Sequence, residues 1–231
     1  MRNIKLIIQY DGAAFHGFQQ QPNGDTVEAQ LKAAIQRILG ESVTVYGCSR
    51  TDAGVHANAF CCNFKTGSDR PCELLQRGLN AVLPPQIAVL SCEEAAVGFH
   101  ARYDCLGKEY VYQIWNGKTR NPFLLDRALF YPFPLDAELL HAQSQQFVGT
   151  HDFAAFCASG TGVKTTERTI YSCSVARQGD LVTFTVCGNG FLYNMVRIMV
   201  GTLLDLQRGK IEKDTIPGII HARTREAAGV T

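Results

Sequence analysis

The sequence predicts an α+β protein made of two similar halves, and two observations predict it. Short stretches that alternate apolar and polar residues, the period of a half-buried strand, are interleaved with stretches whose apolar residues recur every three or four positions, the period of a helix. The order of these stretches then recurs: strand, helix, strand, strand, helix up to about residue 105, and the same order after it. Residues 1–105 and 106–231 are therefore expected to form two units of similar design, although identity between them is too low to establish a duplication.

Each element has its own local reason. Residues 3–10 alternate Ile4, Leu6, Ile8 and Tyr10, a strand. Residues 26–39 place Val27, Leu31, Ala34, Ile35 and Ile38 on one helical face, and Asp25 and Glu28 have the spacing of a capping box at its start. Val43 to Ser49 and Asn58 to Phe64 read as strands around a turn. Pro71 opens a short helix that reaches about Leu83, where Pro84-Pro85 stops it, and Ile87 to Cys92 is a further strand. In the second half, Glu109 to Trp115 alternates as a strand, and residues 136–148 read as a helix through Leu139, Leu140, Gln143 and Phe147. Glu167 to Arg177 and Leu181 to Cys187 form two strands joined by Gln178-Gly179-Asp180, a hairpin signal. Phe191 to Leu206 reads as a strongly apolar helix that ends before Gly209.

Composition narrows the class. With 231 residues, 46% hydrophobic and 19% charged, the chain can bury a sizeable core and is not a disordered segment. No apolar run approaches the roughly eighteen residues of a membrane span. The start, Met1-Arg2-Asn3-Ile4-Lys5, lacks the apolar core of a signal peptide, so a cytoplasmic protein with no membrane partner is expected. Nine cysteines contain no C-x-x-C pair and mostly lie in apolar runs, which argues against a disulfide framework or zinc site and for small buried hydrophobes. Net charge is only +1, but it is unevenly spread. Residues 128–163 hold Asp136, Glu138 and Asp152 with no Lys or Arg, while residues 164–225 carry nine Lys/Arg against five Asp/Glu. Either one basic and one acidic face or a mixed solvated surface fits that distribution.

The stretch that could carry chemistry is Arg50-Thr51-Asp52-Ala53-Gly54-Val55-His56-Ala57, a connection between two apolar strands. Gly54 permits a positive φ in such a turn. An aspartate there ordinarily caps backbone amides. Flanked by Arg50 and His56 on a rigid turn, the Asp52 carboxylate could equally act as nucleophile, base or electrostatic stabiliser. Arg197 is a single cation in Met195-Val196-Arg197-Ile198-Met199-Val200 and needs an acidic partner, with a structural ion pair as the plain alternative. Tyr110 and Tyr112 could be ordinary strand aromatics, and His151-Asp152 a turn that caps backbone. No P-loop, G-x-G-x-x-G or metal-ligand spacing occurs.

The octapeptide at 50–57 resembles the signature of the TruA family of tRNA pseudouridine synthases. Tyr10-Asp11-Gly12 with Phe15-His16-Gly17-Phe18-Gln19-Gln20-Gln21 resembles the family's opening. Phe99-His100-Ala101-Arg102 and Lys108-Glu109-Tyr110-Val111-Tyr112 resemble its middle motifs. His151-Asp152-Phe153, Arg168-Thr169-Ile170 and Gly190-Phe191-Leu192-Tyr193-Asn194-Met195-Val196-Arg197 follow in the same order. Two departures stand out: Phe18 replaces the family's usual Trp, and the chain stops at Thr231, before a short segment with one more strand.

The resemblance implies two ferredoxin-like halves in one continuous, mostly antiparallel sheet, with helices on one face and a catalytic cleft between the halves. It implies that Asp52 is the catalytic carboxylate, that Tyr110 packs on the target base, that Leu192 lines the pocket, and that Arg197 pairs with Asp52. It implies that Arg50 fills the gap left by a flipped nucleotide, and that Phe99, His100, Ala101, Arg102, Tyr103, Lys108 and Arg168 contact the substrate. The implied reaction turns uridine into pseudouridine in the anticodon stem-loop of tRNA, at about positions 38 to 40, by a homodimer without metal or other cofactor. Attack at C1′, attack at C6 and removal of a sugar proton all suit one carboxylate. The Asp52–Arg197 pair is expected to be mostly buried, with the small residue Gly201 leaving room for the catalytic turn, and Arg197→Met to cost roughly 3–5 kcal/mol. A non-catalytic RNA-binding module is the first alternative. A carboxylate-based glycoside hydrolase is the second, and it would want a second acid. The acid within the Tyr110 motif, Glu109, should point to the opposite face of its strand.

Overall fold

The computed structural model describes residues 1–160 and 164–231 as two compact units, Met1–Cys105 and Leu106–Thr231. The last three residues of the acidic stretch 128–163 lie outside the described residues.

The first unit runs β1 (Arg2–Tyr10), α1 (Val27–Leu39), β2 (Val45–Gly47), β3 (Ala57–Thr66), α2 (Cys72–Val82) and β4 (Ile87–Ala95). Its four strands pair antiparallel in the order β2-β3-β1-β4. Alternation assigns the faces. Ile4, Leu6 and Ile8 of β1 and Phe60, Cys62 and Phe64 of β3 join Leu31 and Ile35 of α1 and Leu75 and Leu79 of α2 in one core. Asn3, Cys61 and Asn63 lie on the other face, which residues 96–104 cover.

Several expected boundaries move for local reasons. The N-cap of α1 is Thr26 rather than Asp25, its hydroxyl accepting from Ala29 N at 3.4 Å. Glu28 is engaged elsewhere, by Gln20 N at 2.8 Å and Lys32 at 2.6 Å, and the first helical amides donate to Gly17 and Phe18 carbonyls. Strand β2 is only three residues long; Cys48 N still donates to Cys61 O at 2.9 Å, and the chain then makes the turn that follows.

The second unit runs β5 (Lys108–Trp115), β6 (Ala128–Phe130), α3 (Ala137–Ser144), β7 (Gly149–Asp152), β8 (Glu167–Gln178), β9 (Leu181–Gly188), α4 (Met195–Gln207) and α5 (Ile216–Ala222). Its sheet has the order β6-β5-β9-β8-β7, with β5 and β6 parallel and the other pairs antiparallel. Among the described residues the ladders form two sheets, one per unit, not the single sheet expected. Strands β6 and β7 and helix α5 escape sequence reading, being too short to show a period. The expected helix at 136–148 ends as a helix at Ser144 and closes with a tighter turn over Gln145–Phe147. The helix expected from Phe191 begins only at Met195, because Asn194 is left-handed (φ 57°) and turns the chain just before it. Leu192 is apolar because it is buried in the core, not because it is helical.

Helix α4 is buried along nearly its whole length from Ile198 to Leu206. A Cβ on Gly201 would lie 1.8 Å from the Val230 carbonyl oxygen, and Gly229 N donates to Thr202 Oγ1 at 2.9 Å. The small face of α4 therefore receives the segment 228–231, which corrects the expectation that it leaves room for the catalytic turn. No helix among the described residues is long and apolar enough to cross a membrane.

Candidate active site

The turn carrying Asp52 joins β2 to β3 and is gripped by the segment that follows β1. Gly12 and Gly17 make this grip possible. A Cβ on Gly12 would lie 2.0 Å from Val55 O, and one on Gly17 2.4 Å from Thr51 O, so only glycine lets the two backbones touch. Phe18 N donates to Thr51 O and Gly54 N to Phe15 O, both at 3.3 Å, and Tyr10 and Thr51 share a hydroxyl hydrogen bond of 2.9 Å. Gly54 takes the positive φ expected of it, 78°. Phe18 is buried and stacks on Phe60 at 4.4 Å, so its position in the family pattern is filled by a ring that packs on the sheet. Asp52 and His56 end up half-buried and Arg50 exposed. His56 Nδ1 lies 3.0 Å from Asp11 Oδ1 and 3.2 Å from Gly12 N. One nitrogen serves only one of these at a time, donating to Asp11 when protonated and accepting from Gly12 when not.

A second feature of this unit holds five of the expected substrate-contacting residues. Asn3 and Asn63, each only 1% exposed, bind the segment after β4 with their side chains. Asn3 Nδ2 donates to Ala96 O and Phe99 O at 2.9 and 2.8 Å. Asn63 Oδ1 accepts from Ala101 N at 2.8 Å, and its Nδ2 donates to Asn3 Oδ1 at 2.9 Å and Phe99 O at 3.3 Å. Ala101 is buried and Arg102 exposed as a result, with Lys5 Nζ 5.8 Å from the centre of the Phe99 ring. The His100 ring lies 4.6 Å from Tyr46 and 4.3 Å from Tyr103, tilted against both, forming a three-ring cluster. Tyr103 is 79% exposed, so the cluster ends in a bare aromatic ring. Sequence reading missed Tyr46, Asn3 and Asn63. The available signal was an asparagine set among apolar residues in β1 and again in β3.

In the second unit, Tyr110 and Tyr112 on β5 face the core together, while Glu109 and Val111 are exposed on the other face. Glu109 thus points away from Tyr110, as alternation requires. Tyr110 packs edge-on against Phe191, centroids 4.9 Å apart. Leu192 is buried, its amide directed at the Met195 sulfur at 3.5 Å. Arg197, in the first turn of α4, is exposed and not dry. That corrects the expectation of a mostly buried cation: the core-facing positions of the helix go to Met195, Ile198 and Met199. Burial raises the Tyr112 pKa, and the nearby positive charge of Arg197 opposes the rise.

Lys108 is half-buried at the start of β5. Arg168 pairs with His151 across β7 and β8 and lies against Gly190, where a Cβ would be 3.5 Å from its Nε. Its guanidinium also donates to Thr165 O at 3.0 Å. Asp152 closes β7 and orients backbone: its carboxylate accepts from Ala154 N at 3.1 Å and Thr166 Oγ1 at 2.6 Å, and meets Arg223 Nε at 3.2 Å. Among the described residues no group of three or more His, Cys, Asp or Glu is arranged to hold a metal ion.

Comparison with known proteins bears on this arrangement. A family profile described as tRNA pseudouridine synthase matches residues 6–104 and 144–231. The tRNA pseudouridine synthase A of Acetivibrio thermocellus is 45% identical over 231 residues, covering 100% of this chain and 95% of that protein. That of Geotalea daltonii is 44% identical over 231 residues with the same coverage. That of Clostridium acetobutylicum is 42% identical over 229 residues, covering 99% of this chain and 94% of that protein. A profile matching most of the chain, and identity at this level along its whole length, show that the chain belongs to the tRNA pseudouridine synthase family, an isomerase family.

Proposed function

We propose that this enzyme isomerises uridine to pseudouridine in the anticodon stem-loop of tRNA, at about positions 38 to 40, with Asp52 as the reacting carboxylate. The observation that carries the proposal is the grip on the Asp52 turn, in which two glycines, a hydroxyl pair and two backbone hydrogen bonds fix a half-buried acid. A group held this way needs little reorganisation when it meets the substrate. Tyr110, Leu192 and Arg197 are its proposed active-site partners, roles that rest on the family resemblance. Arg197 supplies a positive charge that favours the ionised carboxylate. Arg50, exposed beside the acid, offsets part of the few kcal/mol needed to extract a stacked base by occupying its place.

Phe99, His100, Ala101, Arg102 and Tyr103, with Lys108 and Arg168, are the proposed tRNA contacts. The ring cluster supports this for the first group: a bare tyrosine ring beside an exposed arginine suits an unstacked base and its phosphate. Each unit is proposed to be ferredoxin-like, a reading supported in the first by its β-α-β-β-α-β order. A homodimer is the proposed assembly, supported by the exposed apolar residues Phe123, Leu125 and Phe133, and sedimentation tests it.

The deciding experiment is tritium release from tRNA carrying uridine labelled at C5, because that hydrogen leaves only when the new bond forms there. Wild-type protein should release it. Asp52→Asn should release none while binding tRNA with unchanged affinity, since phosphate contacts supply most of that affinity. Release by the Asp52→Asn variant, purified free of host enzyme, would remove Asp52 from the reaction.

A further inference from the structure

The cysteines do not follow the expectation of small buried hydrophobes. All nine are free thiols, and only Cys48, Cys62 and Cys173 are buried, while six are half-buried. Two of the six meet. Cys72 is the first residue of α2, and Cys92 lies on β4 opposite Leu6 of β1. Helix α2 packs on β4, which brings the Cys72 thiol close enough to help raise the Cys92 pKa.

A cation is fixed against this pair. Arg2 Nη2 donates to Cys72 Sγ at 3.8 Å. The same guanidinium is anchored on three other sides, by Glu94 Oε2 at 2.9 Å, Ser68 O at 3.2 Å and Arg70 O at 2.9 Å. Helix α2 starts at Pro71 without a side-chain cap, so the positive end of its dipole is left beside Cys72. Glu93, next to Glu94, is paired with Lys5 at 2.7 Å, and its charge adds to the rise of the Cys92 pKa.

We propose that Cys72 and Cys92 are a reversible thiol–disulfide pair, oxidised by hydroperoxides, in which Cys72 attacks first with Arg2 as its cationic partner and Cys92 resolves. With hydrogen peroxide the Cys72 sulfur, having given up its proton, attacks one oxygen and the O–O bond breaks. One water leaves and Cys72 becomes a sulfenic acid. The Cys92 sulfur then attacks the Cys72 sulfur, the S–O bond breaks, the S–S bond forms, and a second water carries off the Cys92 proton. Two thiols lose two electrons, and the peroxide gains them as two waters. The order of attack follows from the surroundings. Cys72 is the sulfur that the Arg2 guanidinium touches, whereas burial pushes the Cys92 thiol up to about 12, leaving it protonated until the sulfenic acid is in contact. The bond would tie the first turn of α2 to β4. Cys61, which lies near Cys105 and Lys5, is the competing pair.

The experiment uses the full chain, freed of reductant and treated with limiting hydrogen peroxide. Thiols titrated after denaturation should fall from nine to seven and return with dithiothreitol. Cleavage at Arg77 separates Cys72 from Cys92 in sequence, so trypsin should release the two peptides 66–77 and 78–102 joined by a reducible bond. Cys92→Ser should trap the sulfenic acid on Cys72, detectable as a dimedone adduct. Arg2→Gln should slow bond formation by about tenfold, and Arg2→Lys should restore most of the rate, with circular dichroism checking that both variants are folded. Nine surviving thiols at peroxide doses that oxidise glutathione would overturn the proposal. So would a linkage between Cys61 and Cys105, or equal rates for Arg2→Gln and wild type.

Discussion

Asn63→Leu tests how the unit holds its proposed RNA-contacting segment. The substitution keeps much of the side-chain volume and removes three hydrogen bonds, to Ala101 N, Asn3 Oδ1 and Phe99 O. Phe99 O keeps Asn3 Nδ2 at 2.8 Å, so it is not stranded. Ala101 N and Asn3 Oδ1 lose the Asn63 side chain as partner, in residues 2% and 1% exposed. An unsatisfied buried polar group costs about 1–3 kcal/mol, so two cost about 2–6 kcal/mol if the segment stays in place. Should residues 96–104 lift away instead, water satisfies both groups, but the burial of Phe99 and Ala101 is lost. The lower end of the range is then the better figure. Urea unfolding should show a lower midpoint with an unchanged slope, and hydrogen exchange at the Ala101 amide should quicken. tRNA affinity should fall while the Asp52 turn, a separate segment, keeps its conformation. A variant with the wild-type midpoint and wild-type protection at Ala101 would refute the view that the asparagine pair fixes this segment.

Three further outcomes follow from the geometry. Gly12→Ala places a methyl 2.0 Å from Val55 O, so the turn carrying Asp52 must shift, and turnover should collapse while tRNA affinity changes only a few-fold; full turnover would show that the turn needs no such grip. Arg197→Met should change stability by less than about 1 kcal/mol, because the side chain is exposed, yet should raise the Tyr112 phenol pKa further and harm turnover. Ultraviolet titration of the tyrosines reads the first effect, and a stability loss of several kcal/mol would restore the buried-pair view. Burial raises the Cys173 thiol from 9.0 to about 12, so the folded chain keeps this proton after the unfolded chain has lost it. Its contribution to stability is complete below pH 9.0 and fades as pH rises toward about 12, and Cys173→Ala should flatten that alkaline slope; parallel slopes for the two proteins would argue against it.

Much of the secondary structure and the identity of the motifs could be read from the sequence because both depend on local order. Period two in residues 3–10 made β1, period three to four made α1, and Gln178-Gly179-Asp180 made the β8–β9 hairpin, with Gly179 at φ 59°. Asp52 stood out for the same reason: an acid between Arg50 and Gly54 at a strand-to-strand turn is a local pattern. Features that depend on packing were out of reach. Leu192 and Arg197 sit in one apolar run, but the left-handed Asn194 separates the turn from the helix, and the helix then turns Arg197 outward. Gly201 looked like spare room and proved to be the seat of Val230. The asparagines of β1 and β3, the Tyr46–His100–Tyr103 cluster and the Cys72–Cys92 contact all join residues far apart in the chain. A period records which side of its own element a residue faces. Only the folded chain decides which distant residue stands there to meet it, because that meeting is set by how strands register and how the following segment folds back over them.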